Sequence, residues 1–193
     1  MSQDDLLSWW LLALALLLML GWYLSYSAGR LDRLHHRVES SRAALDVQLV
    51  RRAAAAVETA PLLDPATGLI LADAAAHALT AGEQRDAPGG IEPQPVAEDV
   101  ENDLTRALHL AFDDPGFVAR LREQPLTREA LDVLAQACTR VQLARRFHND
   151  AVAQTLRVRR KPVVRWARLA GYASLPVMVE IDDSLPPGLT VVL

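Results

Sequence analysis

Apolar side chains follow two rhythms along this chain. From Leu6 to Tyr26 they are continuous: LLSWWLLALALLLMLGWYLSY carries no charge. Its 21 residues give about 31 Å of helix, matching the ~30 Å hydrocarbon core of a bilayer. Trp9 and Trp10 mark one end of this run, and Trp22, Tyr23 and Tyr26 mark the other, as interfacial aromatic belts do. After Gly29 the rhythm becomes helical. Leu31, Leu34, Val38, Leu45 and Leu49 recur at spacings of three, four and seven, while Arg30, Arg33, Arg37, Glu39 and Arg42 take the other face. Pro61 and Pro65 predict the end of this first helix near Ala60.

A second, short helix is predicted after Gly68 in the Ala- and Leu-rich stretch that runs to Gln84. Pro88, Gly89, Gly90, Pro93 and Pro95 then mark residues 85–99 as a flexible linker. A third helix starts near Asp99 or Glu101, carries Leu104, Leu108 and Phe112, and meets a turn at Asp113-Asp114-Pro115-Gly116. A long fourth helix opens with Thr127 as its N-cap and Glu129 in its first turn. Leu131, Leu134, Cys138, Val141, Ala144, Phe147, Ala151 and Thr155 follow on one face, to about Arg160 before Pro162. Two β-branched runs, Val177 to Ile181 and Leu189 to Leu193, lie between prolines at the far end.

The expected fold is therefore mostly α: an N-terminal transmembrane helix, an antiparallel four-helix bundle, and a short irregular or β-hairpin C-terminal tail. The expected parts are an acidic start at 1–5, a span at 6–26, the bundle at 30–172 and the tail at 173–193. A cleaved signal peptide is the rival for the first run. Its acidic start and its length argue against that, since a signal peptide has a basic flank and a shorter apolar core.

Charge adds a direction. Asp4 and Asp5 precede the span, whereas Arg30, Arg33, Arg37 and Arg42 follow it. The positive-inside rule then predicts a single-pass protein of the cell membrane, N-terminus outside and the C-terminal domain cytoplasmic. Protease added to intact spheroplasts should leave that domain whole; its digestion from outside would reverse the assignment.

Charge is also segregated. Glu58 to Asp132 holds 15 acidic and 5 basic side chains, and Arg140 to Arg168 holds 9 basic and one acidic. The densest basic cluster is Arg157, Arg159, Arg160, Lys161, Arg165 and Arg168, with Trp166 among them. Three uses compete: pairing with acidic helices inside the bundle, contact with anionic lipid headgroups, and nucleic-acid binding. The net charge of −4 and the lack of a recognition motif argue against nucleic acid.

Little points to catalysis. His35, His36, His77, His109 and His148 have no metal-ligand spacing, and neighbours such as His35 and His36 diverge by about 100° on a helix. No phosphate loop, dinucleotide fingerprint or serine elbow occurs. The single cysteine, Cys138, sits at an apolar helical position and reads as a core residue. No enzyme activity, metal or cofactor is expected.

Several strings carry a family resemblance. Val38-Glu39 followed by Leu45-Asp46-Val47-Gln48-Leu49-Val50-Arg51-Arg52 resembles the opening of the LemA family, and Val57-Glu58-Thr59 resembles the end of the same helix. Glu101 to Leu108 is similar to the family's third-helix start. The most specific match is Arg140 to Val152, RVQLARRFHNDAV, against the family's "RIAxARRFYNDAV". Here His148 replaces the tyrosine, and the stretch Ala53 to Val57 is shortened. The resemblance implies a divergent, membrane-anchored helical bundle without a defined reaction: a non-catalytic interaction or adaptor module with the bilayer and other membrane proteins as partners. The alternative is a scaffold on anionic lipid through the basic 157–168 segment. It also directs attention to Glu39, Asp46, Gln48, Arg51, Arg52, Arg145, Arg146, Asn149 and Asp150, polar groups on apolar helices. Some of these are expected to pair between helices, for instance Asp46 or Glu39 with Arg145 or Arg146.

Overall fold

The apolar run and the first amphipathic stretch join without a break. In the computed structural model, which describes residues 3–86, 97–162 and 174–190, a single helix, α1, covers Gln3–Thr59. No glycine or proline effect interrupts it at Gly29. Pro61 enforces the end, through a 3-10 turn at Ala60–Leu62. The remaining helices are α2 (Pro65–Asp86), α3 (Glu98–Phe112), α4 (Pro115–Leu121) and α5 (Pro125–Arg159). The protein is mostly helical, and no strand occurs among the described residues.

Three boundaries differ from the sequence expectation, each for a local reason. Helix α2 starts at Pro65, before Gly68, because the Asp64 carboxylate accepts from the amides of Ala66 and Thr67, each at 3.2 Å. Those bonds hold the Asp64 carboxyl below its ordinary value, the Thr67 bonds most strongly. The Asp-Asp-Pro-Gly turn starts a further helix, α4: Pro115 is its first residue and Asp114 accepts from the Gly116 amide at 2.8 Å. Helix α5 starts at Pro125, so Thr127 is a buried first-turn residue and not the N-cap. The described ends of the expected 85–99 linker are helical, Arg85 and Asp86 closing α2 and Glu98 and Asp99 opening α3, while its prolines and glycines at 88–95 lie outside the described residues.

The chain divides into two units, Met1–Ser40 with Asp150–Val177 and Ser41–Asn149 with Met178–Leu193. In the first, Trp9 to Leu20 and Trp22 are exposed on every face. The apolar window has a mean hydropathy of 1.8 and none of it is buried, so this helix is long and apolar enough to cross a membrane. The buried residues of this unit among those described are Leu31, Ala151, Val152 and Thr155. Arg37 donates to the Gln154 side-chain oxygen at 3.5 Å.

The second unit holds the core. Alanines 53, 55 and 56 of α1 and Ala75 and Ala78 of α2 let these helices approach closely, and Leu71, Leu104, Leu108, Phe112, Leu131 and Leu134 fill the space between them. Gly68 serves the same close approach: a Cβ there would stand 2.5 Å from the Ala60 carbonyl oxygen. A smaller cluster joins Leu45, Leu49 and Val141 to Val179 and Ile181 of the tail. Cys138 is buried in the main cluster, and burial pushes its thiol up to about 11, so it stays protonated as a packing residue.

Candidate functional site

Two polar positions on apolar stripes dominate the second unit. On α1 the stripe Leu45, Leu49, Ala53, Ala56 also includes Arg52, 2% exposed. On α3 the stripe Leu104, Leu108, Phe112 begins with Glu101, 0% exposed. The two meet at 2.9 Å. Arg52 also donates to the Thr105 hydroxyl at 3.1 Å and to the Glu101 carbonyl at 3.2 Å. Arg85, near the end of α2, reaches the second Glu101 oxygen at 3.4 Å and lies 3.7 Å from Asp46, which accepts from Arg42 at 3.1 Å. A charge relay thus ties α1, α2 and α3 together. It is incompletely satisfied: Arg52 Nε, and Arg85 Nε and Nη1, are buried without hydrogen-bond partners among the described residues. Such a relay fixes register, because any other alignment would bury an unpaired charge.

The second feature is a clamp around the tail. Buried Val179 and Ile181 alternate with exposed Glu180 and Asp182, the two-residue period of an extended chain. Side chains on two helices read its backbone. From α3, Glu98 accepts from the Glu180 amide at 2.9 Å, Asn102 accepts from the Asp182 amide at 2.7 Å, and the Thr105 hydroxyl donates to the Asp182 carbonyl at 2.6 Å. From α5, Gln142 donates to the Asp183 carbonyl at 2.6 Å. Asn149 accepts from the Val179 amide at 2.9 Å and donates to the Val179 carbonyl at 3.0 Å. Arg145 grips the Asp183 carboxylate with two bonds, 2.6 and 2.9 Å. His109 contacts Ser184 at 2.9 Å. The Ser184 amide bonds back to Asp182 at 3.0 Å. That bond, with the charges of His109 and Arg52, holds the Asp182 carboxyl below its ordinary value. Beyond Pro186 the strap ends in a 3-10 turn, Pro187–Leu189, with Leu189 fully buried. Gly188 is needed there, since a Cβ would come 2.5 Å from the Phe112 carbonyl oxygen. Neither tail run pairs as a strand among the described residues.

The polar groups singled out from the sequence go to different places. Arg52 is the core of the relay, Asp46 its outer end, and Arg145 and Asn149 are the main α5 readers of the strap. The expected pairing of Asp46 or Glu39 with Arg145 or Arg146 is replaced: Asp46 pairs with Arg42, Glu39 with His36, and Arg145 with Asp183. Gln48 buries its side-chain oxygen without a hydrogen bond, while Arg51, Arg146 and Asp150 are exposed. Glu101, Thr105, Arg85, Glu98, Asn102, Gln142 and Asp183 were not singled out. For Glu101 a signal existed, its place on the α3 apolar stripe. For the strap readers none did, because their partner is backbone.

Phe147 is 64% exposed, not a core residue, and His148 is buried instead, 3.3 Å from the Ser41 hydroxyl. Seven residues from Val141 to His148 make almost two full turns, whereas Phe147 falls about 100° short. Among the described residues no three His, Cys, Asp or Glu groups converge to hold a metal.

A third feature is open. Leu69, Ile70 and Ala74 of α2 and Ala107 and Leu110 of α3 line a groove of about 570 Å³, with Asp73, Asp103 and Arg106 at its rim. Leu69, Ile70 and Leu110 are 71%, 49% and 65% exposed. Arg106 pairs with Asp103, and Asp73 with His77 at 3.6 Å. In the basic cluster, Arg160 and Lys161 are exposed beside Arg157, and Arg159 donates to the Ser174 carbonyl at 2.7 Å. Arg165, Trp166 and Arg168 lie outside the described residues.

Comparison with family models, with curated proteins and with solved structures gives no match to this chain.

Proposed function

We propose that this chain is a single-pass membrane protein whose helical part, a divergent LemA-like four-helix bundle on the cytoplasmic side of the cell membrane, binds a neighbouring membrane protein and does no chemistry. The observation that carries this reading is the α2–α3 groove. Three large apolar side chains stand exposed around one concavity, and contiguous exposed apolar surface of this kind marks an interaction site. The groove suits an amphipathic helix that lays its apolar face on Leu69, Ile70 and Leu110 and meets the charged rim of Asp73, Asp103 and Arg106 with polar side chains. The fully exposed apolar helix of the first unit supports the membrane location.

Crosslinking and co-purification of the full chain from detergent tests the reading. A stoichiometric protein partner is expected, and Leu69→Glu with Leu110→Glu should reduce its recovery at least tenfold while the helical content stays unchanged. Recovery of the same partner by that variant would refute the groove.

One observation favours a second role, on lipid. Helices α1 and α5 run antiparallel: Ser41 meets His148, and Arg37 meets Gln154. On that register Arg157, in the last turn of α5, comes level with Arg33, about two turns from Tyr26, and Arg160 and Lys161 follow directly after the helix. Basic groups so near a bilayer surface each contribute about 1 kcal/mol toward anionic headgroups. Reversing Arg157, Arg160 and Lys161 to glutamate should remove most of the phosphatidylglycerol that co-purifies with the full chain; unchanged lipid content would exclude this role.

A further inference from the structure

Ser184, His109 and Asp113 form a line of hydrogen bonds that no local sequence spacing reveals. His109 and Asp113 lie one turn apart at the C-terminal end of α3, and the strap brings Ser184 to them from 75 residues beyond His109. His109 Nδ1 stands 2.7 Å from the Asp113 carboxylate, and its Nε2 stands 2.9 Å from the Ser184 hydroxyl. An ionised carboxylate only accepts, so the neutral imidazole carries its proton on Nδ1 and turns the Nε2 lone pair to the hydroxyl. Nucleophile, base and orienting acid thus follow one another in the order that activated serines use. Ser184 is exposed and the His109 side chain is 28% exposed, so a reagent can reach the oxygen.

The clamp gives that hydroxyl a fixed place. Asn102 and Thr105 hold the Asp182 backbone, and Gln142 and Arg145 hold Asp183, the residue before the serine. A nucleophile held beside its base starts with the orientation already made. Two further contacts limit what it can do. The Asp182 carboxylate is a second acceptor within reach of the Ser184 hydroxyl. With Asp113 it sets negative charge on the approach, which repels a phosphate donor but not an uncharged acyl carbonyl. The Ser184 amide, an N–H of the kind that holds a developing oxyanion, is already bonded to Asp182 at 3.0 Å.

We propose that Ser184 is an acyl-acceptor site, which takes one acyl group from an activated ester or thioester. The Ser184 oxygen bonds to the acyl carbon and its proton passes to His109 Nε2. The bond to the leaving group then breaks, and that group departs with the proton, leaving an ester on Ser184. Hydrolysis of this alkyl ester has a poorer leaving group and would need the oxyanion contact that Asp182 occupies, so the reaction stops at one group per chain. The chain is the acceptor and turns over no substrate. The inference therefore goes beyond the adaptor reading and does not rest on it.

The test treats the full chain in detergent with p-nitrophenyl acetate. Nitrophenolate release should show a burst of about one equivalent per chain, with the acetyl group mapped to Ser184 by peptide mass spectrometry. Ser184→Ala should remove the burst. His109→Ala should slow acetylation of Ser184 about a hundredfold. Added imidazole should restore it, which a merely displaced strap would not allow. Asp113 is a positioning residue: Asp113→Ala should slow the burst about tenfold, and Asp113→Glu should return most of the rate. The proposal is overturned if no acetyl group is found on Ser184. It is equally overturned if Ser184 is acetylated as fast in His109→Ala as in the wild type, since exposure alone would then account for it. Ser184-dependent release far beyond one equivalent overturns the single-acceptor form.

Discussion

Replacing Glu101 with leucine should destabilise the helical part by about 3–5 kcal/mol, the usual cost of leaving one partner of a buried ion pair alone. Arg52 would keep the Thr105 hydroxyl and the main-chain carbonyl of residue 101, but would lose the Glu101 carboxylate that it meets at 2.9 Å. Arg85 would lose its 3.4 Å contact and retain Asp46 at 3.7 Å. The double variant Arg52→Met with Glu101→Leu should recover at least half of the loss. Desolvating two charges costs about as much as their attraction returns, and similar apolar volumes fill the same space. Thermal unfolding of the full chain in detergent, followed by helical circular dichroism, measures both. A double variant as unstable as the single one would mean that the pair contributes net attraction and not merely register.

The second large effect is expected at Phe112. This ring is fully buried at the end of α3, in the cluster that holds Val118 of α4 and Leu189 of the strap. Truncation to alanine should cost about 3–5 kcal/mol, as lost transfer energy plus a cavity. The site cannot collapse freely, since Gly188 is already packed against the Phe112 carbonyl and Val118. Leu110, two residues earlier and 65% exposed, is the control: Leu110→Ala should stay within about 0.5 kcal/mol. Amide exchange localises the effect, because the Leu189 amide, bonded to the Pro186 carbonyl at 2.9 Å, should lose protection first. Equal costs at 110 and 112 would contradict this account of the α3 face.

Both predictions rest on placements that the one-dimensional pattern shows only partly. Arg52 and Glu101 each lie on an apolar stripe, which is legible. That they face each other across 49 residues is not. The same limit applies to Arg145 and Asn149. Their helix and face follow from spacing, but their partners lie in the tail, the Asp183 carboxylate for Arg145 and the Val179 backbone for Asn149. Backbone groups leave no trace in a pattern of side chains, so a pairing with acidic α1 residues was the natural expectation and the strap was not. Phe147 shows a different limit. A one-residue error in phase exchanges a core position for a surface one, and only packing decided for His148.

The sequence by itself determined the long apolar helix, its aromatic ends and its continuation into an amphipathic one. It also determined the stops at Pro61 and Pro162, because these depend on composition, period and proline geometry within one or two turns. Tertiary structure alone decided that Glu101 of α3 closes a buried relay with Arg52 and Arg85, and that the tail lies clamped between α3 and α5. Each of those depends on groups far apart in the chain satisfying one another's hydrogen bonds and charge away from water, and local propensity carries no information about such partners.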